Sequence, residues 1–402
     1  MAALLPVEDA LARVLDRVRV LPAETVPLAD ASGRVLAEDA AAAFDLPRFP
    51  SSAMDGYALR SGDTPGTLPL VGRIAAGVPA ERPLGAGEAM AISTGGVVPD
   101  GADAVVPIEL VREEGDAVVV PVAVPSGSHV RPRGGDVRAG ELVLAAGAAL
   151  TPSRLAALAS AGLGEVSCAR RPRAAIVATG SELRPLGEPL GEGEIYDSNG
   201  VMLASLLAAA GADVASPERA ADDPAAHEAA LDRGLEADIL VTSGGVSVGP
   251  HDLVRETLAR LGAEEVFWGV AMRPGKPVAF SVRGDTLVFG LPGNPVSSLV
   301  GAMLFLLPAI RALQGLAHPE PPYRTGVLAA PAARRPARDD FQRARVERSG
   351  DDVLLRPLEG QESHMIARAA AADALVHVPR GTGELGLGAP VRYLLLDPSA
   401  GT

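Results

Sequence analysis

The sequence predicts a multidomain α/β and β protein. The expected parts are a three-layer α/β domain with a mostly parallel sheet, an inserted β-rich domain, a helical linking domain and a small β-barrel-like domain at the C-terminus. Three observations carry this. From Arg173 onward, apolar strands alternate with helical patterns, as in sheets covered on both faces. Residues 41–140 are short β-prone runs punctuated by Gly and Pro. Helical patterns stand on both sides of that stretch, so it reads as an insertion. The boundaries follow: 1–40 with 141–170 for the helical domain, 41–140 for the insertion, 171–317 for the α/β domain and 318–402 for the C-terminal domain.

In chain order, Val7 to Val20 places apolar side chains at helical spacing between charges, predicting an amphipathic helix over 7–20. Ala104-Val-Val-Pro-Ile108 and Ala117-Val-Val-Val-Pro121 are the clearest strands of the insertion. Thr151-Pro152 opens a helix to about Ala161, with Thr151 as N-cap and Pro152 in the first helical position. Ala174 to Ala178 is a buried strand, and Ser198 opens a helix ending near Gly211. Pro224 to Leu235 is a second helix, Asp238 to Thr242 the next strand, and Asp252 to Leu261 a further helix. Pro277 to Val282 and Thr286 to Phe289 flank Gly284-Asp285 as a hairpin. A long apolar helix then runs to about Leu313. The Arg/Pro-rich stretch 318–338 reads as a linker, and Val353-Leu-Leu355 and Val391 to Leu396 as strands beyond it.

The chain has 402 residues, enough for about two to four domains of roughly 100–200 residues each. Hydrophobic residues make up 48% and aromatics 3%, so the cores are expected to be mostly Ala, Val and Leu. With 36 basic and 50 acidic side chains the net charge is −14, which argues against nonspecific binding to nucleic acid or an anionic membrane. Lys276 is the only lysine. Cys168 is the only cysteine, so no intramolecular disulfide forms, as suits a reducing compartment. Its surroundings offer no evident base, and a structural role is expected. The N-terminus lacks a basic leader, and the longest apolar run, Leu299 to Ile310, is short for a bilayer. A soluble, cytoplasmic protein is expected.

Three loops follow apolar strands: Thr179-Gly-Ser-Glu182, Ser243-Gly244-Gly245-Val246-Ser247 and Leu291-Pro292-Gly293-Asn294-Pro295. Ligands of open α/β sheets bind beyond the carboxyl ends of strands, and glycines let the backbone approach them closely. Neither a dinucleotide fingerprint nor a P-loop is present. The carboxylates Asp55, Asp136, Glu182, Asp222 and Asp252 lie in polar or Gly-rich loops and are the kind of oxygen ligand that Mg²⁺ takes, although any one alone is more often a solvated or capping residue and Asp252 is an obvious N-cap candidate. The scattered histidines offer no zinc spacing. Cations concentrate in Arg131-Pro-Arg133-Gly-Gly-Asp136-Val-Arg138 and in Arg273-Pro-Gly-Lys276-Pro, where two prolines and a glycine display Lys276.

These motifs together resemble the molybdopterin molybdenumtransferases, the MoeA proteins and the catalytic part of gephyrin. The matching segments are Arg48-Phe-Pro-Ser-Ser-Ala-Met-Asp55-Gly-Tyr-Ala58, Ser93-Thr94-Gly-Gly to Val106, Arg133-Gly-Gly-Asp136 and Ala178-Thr-Gly-Ser-Glu182. Ile195-Tyr-Asp-Ser-Asn199, Ser243-Gly-Gly-Val-Ser-Val-Gly249, Arg273-Pro-Gly-Lys-Pro277 and Gly290-Leu-Pro-Gly-Asn-Pro295 continue the series. They fall in family order across about residues 1–315, with a weaker match at Gln361-Glu-Ser-His-Met365.

The resemblance implies an enzyme that takes adenylylated molybdopterin and molybdate, releases AMP with the aid of Mg²⁺, and yields molybdenum cofactor. It implies a homodimer with the active site at the subunit interface, and it names the molybdopterin adenylyltransferase as a candidate partner. The catalytic positions it assigns are Asp55, Thr94, Asp136, Glu182, Asp252 and Lys276. Substrate-binding positions are Arg131, Arg273, Ser243, Gly244, Gly245, Ser247, Pro292, Gly293, Asn294, Pro295 and Ser363. Metal ligands are Glu182, Asp222 and Asp252. The chain departs from the family pattern at Ala91 and Gly269, which replace cations, and at Ile366-Ala367. Two alternatives stand beside this reading: a noncatalytic molybdopterin-binding or scaffold protein of the same fold, and a molybdopterin adenylyltransferase.

Overall fold

In the computed structural model, residues 4–220, 223–245 and 253–397 are described. Their contacts cluster into two compact units, Thr25–Ser32 with Glu38–Ser167, and Met1–Glu24 with Gly33–Ala37 and Cys168–Thr402. The helix Val7–Leu15 belongs to the larger unit and the helix Pro152–Ser160 to the smaller.

The smaller unit is built on a six-stranded sheet among its described residues. The order is Ala104–Pro107, Gly56–Leu59, Ala89–Ile92, Gly66–Ile74, Ala117–Val120 and Arg112–Glu114. Every pairing is antiparallel except that of 66–74 with 89–92. Successive strand residues point to opposite faces, and both faces are covered. Tyr57, Leu59, Ala89 and Ala91 enter one core, while Ala58, Met90 and Ile92 enter another. The two strands expected at 104–108 and 117–121 are both present. The helix Pro152–Ser160 starts after Thr151 as expected, but the Thr151 side chain makes no capping hydrogen bond and its hydroxyl meets Ser153 Oγ at 3.2 Å.

In the larger unit, the helix expected over 7–20 stops at Leu15. The amides of Arg17 and Val18 bond three residues back, to Val14 and Leu15, and the Leu21 amide then bonds to the Leu313 carbonyl. A further sheet runs Asp213–Val214, Arg173–Thr179, Ile239–Ser243, Thr286–Leu291, Ala279–Arg283 and Glu264–Trp268, with Glu218–Ala220 also paired to 173–179. The first four strands in that order are mutually parallel, and the hairpin partner 279–283 and the edge 264–268 are antiparallel. Ile176, Val241 and Phe289 enter one core with Leu203 and Leu207 of the helix Ser198–Ala209. Val177, Leu240 and Val288 enter a second with Leu231 of the helix Pro224–Gly234 and Leu258 of Leu253–Arg260. The 198–209 helix is capped by Asp197, whose carboxylate accepts the Gly200 amide at 2.8 Å.

The long apolar helix is Pro295–Leu313, with a π-turn over Ala302–Leu306. Pro308 carries no N–H to donate to residue 304, so the register shifts in the preceding turn. The helix spans 19 residues, longer than its uninterrupted apolar run, and by length and composition alone it could cross a membrane. It is 89% buried inside the protein, packed among residues such as Phe280 and Phe289, and is a core helix.

Beyond it, five strands close on themselves. The order is Asp339–Ser349, Asp352–Pro357, Arg324–Leu328, Pro390–Leu395 and Ala374–Val378, which pairs back to 339–349. The barrel is filled by Leu328, Ala344, Leu355, Val376 and Tyr393. The expectation of a linker over 318–338 is therefore corrected. Its composition is Arg/Pro-rich, but Thr325-Gly-Val-Leu328 runs between two barrel neighbours, parallel to 352–357 and antiparallel to 390–395. Met272–Arg273 adds to the barrel's edge, parallel to Asp339–Asp340.

Candidate functional site

Sheet register brings three loops of the larger unit to one edge. Ala178 aligns with Ser243, and Ser243 with Leu291, so 180–182, 244–245 and 292–294 leave their strands side by side. The Gly244 amide bonds to the Leu291 carbonyl at 3.0 Å. Gly244 sits at φ +93°, and a Cβ there would lie 2.8 Å from the Thr179 carbonyl. Only glycine allows that approach. The gathering of these loops at strand ends matches the sequence expectation.

They enclose a cavity of about 570 Å³, lined by Glu182, Ser243, Gly245, Pro292, Gly293, Asn294 and Pro295 together with Asn199, Tyr196 and His364. Asn199 is the strut of this cavity. It is buried, and its Nδ2 donates to Ser243 Oγ at 2.7 Å and to the Gly293 carbonyl at 2.8 Å. One carboxamide thus fixes the spacing of two of the three loops.

A second cavity of about 440 Å³ shares Pro292 and Asn294 with the first. Arg273, Lys276 and Arg338 line it, as do Gln361, Ser363 and His364. Arg335 joins Arg273 and Arg338 around an adjoining hollow. Arg273 is partly neutralised, since its guanidinium lies 3.7 Å from the buried Asp340 carboxylate, which also accepts from Gln342. Lys276 forms no ion pair with another described residue. Gly275 holds φ +102°, and a Cβ there would meet Met272 Cε at 2.6 Å, so the turn that displays Lys276 requires glycine.

Ser363 lines the second cavity and bonds to the segment that both cavities share. Its hydroxyl accepts from Asn294 Nδ2 at 2.9 Å, and its carbonyl accepts the Val296 amide at 3.1 Å. The 360–365 loop that carries it is held by Arg343. That guanidinium is 1% exposed and donates to the carbonyls of Met365 at 2.5 Å, Gly360 at 2.5 Å and Glu362 at 3.2 Å. Burial pushes the Arg343 pKa down, opposed by the charge of Glu362.

In the smaller unit, Asp55, Thr94 and Arg131 meet at one backbone junction. The Asp55 carboxylate accepts the Thr94 amide at 2.7 Å and its hydroxyl at 3.1 Å. Ser52 exchanges backbone bonds with Gly95 and Gly96, and Arg131 pairs with Ser51. His129 beside this junction is a non-glycine residue at φ +52°, a strained conformation of the kind found at functional sites. Asp136 is elsewhere, lining a cavity of about 400 Å³ with Leu142 and Ala156.

Asp222, Ser247 and Asp252 lie outside the described residues. Of the expected metal set only Glu182 is described, and no group of three His, Cys, Asp or Glu among the described residues could hold a metal ion.

Sequence reading missed Asn199, Arg335, Arg338, Arg343 and His364. Asn199 carried a signal, since it ends the Ile195-Tyr-Asp-Ser-Asn199 motif. Arg335 and Arg338 stood in a stretch read as a linker, about 60 positions from their neighbour Arg273.

Comparison with known proteins covers nearly the whole chain. Residues 5–162 match the model of the "MoeA N-terminal region (domain I and II)", 175–312 the "Probable molybdopterin binding domain", and 325–396 the "MoeA C-terminal region (domain IV)". A Mycobacterium tuberculosis protein named molybdopterin molybdenumtransferase 2 is 38% identical over 388 residues, 93% of this chain and 95% of that one. A Staphylococcus aureus molybdopterin molybdenumtransferase is 31% identical over 98% of this chain and 96% of its own. The crystal structure of a Pyrococcus horikoshii molybdopterin biosynthesis MoeA protein superposes with a TM-score of 0.84 at 29% identity, covering 98% of this chain and 100% of that one.

Proposed function

Because the chain belongs to the MoeA family of molybdopterin molybdenumtransferases, transferases of molybdenum cofactor biosynthesis, we propose that its two adjoining cavities divide the substrates between them. The 570 Å³ cavity at the strand ends takes adenylylated molybdopterin, and the 440 Å³ cavity takes molybdate. The observation that carries this reading is that Lys276, Arg273 and Arg338 line the second cavity, which shares Pro292 and Asn294 with the cavity lined by Asn199 and Ser243.

The chemistry follows from charge. Cleavage of the phosphoanhydride to AMP builds negative charge on oxygen, and preorganised cations and amides stabilise it where water is excluded. Arg273, Lys276 and Arg338 would hold the tetrahedral oxyanion. The Gly245 amide would face the phosphates, Gly244 would let the backbone approach the ligand closely, and Ser243 and Asn294 would orient it. Pro292 and Pro295 stiffen the shared loop, and Ser363 fixes it from the barrel side. Arg131, Asp55 and Thr94 form a second polar cluster, on the smaller unit. Under this reading the protein is a homodimer with the site at the subunit interface, where that cluster contributes, as does Asp136. Mg²⁺ belongs to the same proposal, with Glu182, Asp222 and Asp252 as ligands; bound there, it would neutralise phosphate charge.

The division into 1–40 with 141–170, 41–140, 171–317 and 318–402, the three-layer arrangement of the α/β part, docking of the molybdopterin adenylyltransferase and a cytoplasmic setting are parts of the same proposal. The last is supported by the single, buried thiol of Cys168. No observation favours the scaffold or adenylyltransferase alternatives.

The test is AMP release from adenylylated molybdopterin by the full chain. Release that depends on molybdate is expected. Tight substrate binding with no release at any molybdate concentration would replace the reading with that of a binding protein.

A further inference from the structure

We propose that Tyr196 is the stacking platform for the flat heteroaromatic ring of the ligand, adenine or pterin, at the mouth of the 570 Å³ cavity. The inference rests on the reading of that cavity as the adenylylated-ligand site and assigns it a recognition residue. Tyr196 lines the cavity while remaining 39% exposed, and its neighbour Ile195 lines it at 53% exposure. Aromatic residues are 3% of this chain, and of its four tyrosines two, Tyr57 and Tyr393, are buried in cores. An aromatic ring left open beside polar loops offers a flat apolar face that water covers poorly.

The ring is held in place. A two-residue parallel ladder pairs Leu183 with Ile195 and Arg184 with Tyr196. Arg184 bridges to Glu194 at 2.5 Å, and the Glu194 carboxylate accepts the Gly191 amide at 2.8 Å. The Tyr196 hydroxyl donates to the Glu188 carbonyl at 2.7 Å, which anchors the edge of the ring away from its faces. A ring fixed in this way loses little entropy when a base or pterin settles on it, and stacking tolerates either ring because both present a π-face.

Steady-state AMP release by the full chain, with Tyr196→Ala and Tyr196→Phe beside the wild type, tests this. Tyr196→Ala is expected to raise KM for adenylylated molybdopterin roughly tenfold, about 1.4 kcal/mol, a value within the range of base–aromatic stacking. Its kcat and its molybdate dependence should stay near wild type, and Tyr196→Phe, which keeps the ring, should stay near wild type in KM. A Tyr196→Ala enzyme of normal fold and unchanged KM overturns the inference while the functional reading stands. Calorimetric titrations with AMP and with neopterin separate the two rings and do not need turnover. Selective loss of AMP affinity in Tyr196→Ala assigns adenine, and loss of neopterin affinity assigns pterin. Full retention of both by Tyr196→Ala overturns the platform, whereas absence of AMP release by a wild type that binds both overturns the functional reading alone.

Discussion

Asn294 Nδ2 donates to Ser363 Oγ at 2.9 Å beside the Val296 amide's bond to the Ser363 carbonyl at 3.1 Å, so the segment shared by the two cavities is tied to the 360–365 loop by a side-chain and a backbone bond, of which the first depends on the Ser363 hydroxyl. That side-chain bond is exposed, and a neutral hydrogen bond in that setting contributes at most about 1 kcal/mol net. Ser363→Ala should therefore leave the melting temperature within a few degrees of wild type. It should lower AMP release far more than stability, because the Asn294 side chain, which lines both cavities, loses the bond that orients it while the backbone tie of Val296 to residue 363 remains. Thermal melts and steady-state rates on one preparation check both halves.

Arg343 makes the opposite case, a buried group whose effect is mainly structural. Its guanidinium satisfies three carbonyls of the 360–365 loop. Arg343→Met strands those acceptors, at about 1–3 kcal/mol for a buried group left unpaired. Urea unfolding should show a loss of roughly 3 kcal/mol or more on that basis. The loop's amides should also exchange hydrogen faster than those of the adjoining barrel strands.

The pH dependence of stability has an identifiable contributor at the far end of the sheet. Burial alone would raise the Asp238 pKa, but Arg170, which donates to both its oxygens at 2.6 and 2.7 Å, and the Arg173 amide at 2.7 Å outweigh burial. The net effect holds the carboxyl below its usual 3.8. A depressed folded-state pKa contributes stability above the unfolded value, and that contribution disappears as pH falls through the folded value. Asp238→Asn should be less stable than wild type at neutral pH, with the gap narrowing as the pH is lowered below 3.8. Denaturant midpoints across an acid series measure this, and activity at neutral pH should be unaffected.

Much of this was legible in the sequence. The strand–loop–helix rhythm placed three glycine-rich loops at strand ends, and the parallel register gathers them, because period and punctuation report local structure directly. The Asp55–Thr94 pair was legible only as two motif residues, since 39 positions separate them. Arg338 was invisible as a site residue. Its approach to Arg273 depends on the parallel pairing of Met272–Arg273 with Asp339–Asp340, and nothing in a run of Arg and Pro encodes that pairing. Asn199 was likewise obscured, because its importance comes from two bonds to loops 44 and 94 positions away. The helix expected to continue past Leu15 kept its apolar spacing to Val20, but the chain turned to pair Leu21 with Leu313. In each of these cases tertiary pairing decided what local pattern could not.

Lys276→Arg tests the cation at the centre of the site. A compact ammonium and a planar guanidinium present donors to an oxyanion differently. The variant should fold normally, since Lys276 forms no ion pair with another described residue. It should lose most of its molybdate-dependent AMP release. Full activity would mean that the charge is required there and its shape is not.

The most direct measurement is diffraction at the molybdenum absorption edge from crystals soaked in molybdate. The account predicts an anomalous peak in the 440 Å³ cavity, within hydrogen-bonding reach of Lys276 and the guanidinium of Arg273 or Arg338. A peak found only outside that cavity, or none at saturating molybdate, would contradict it.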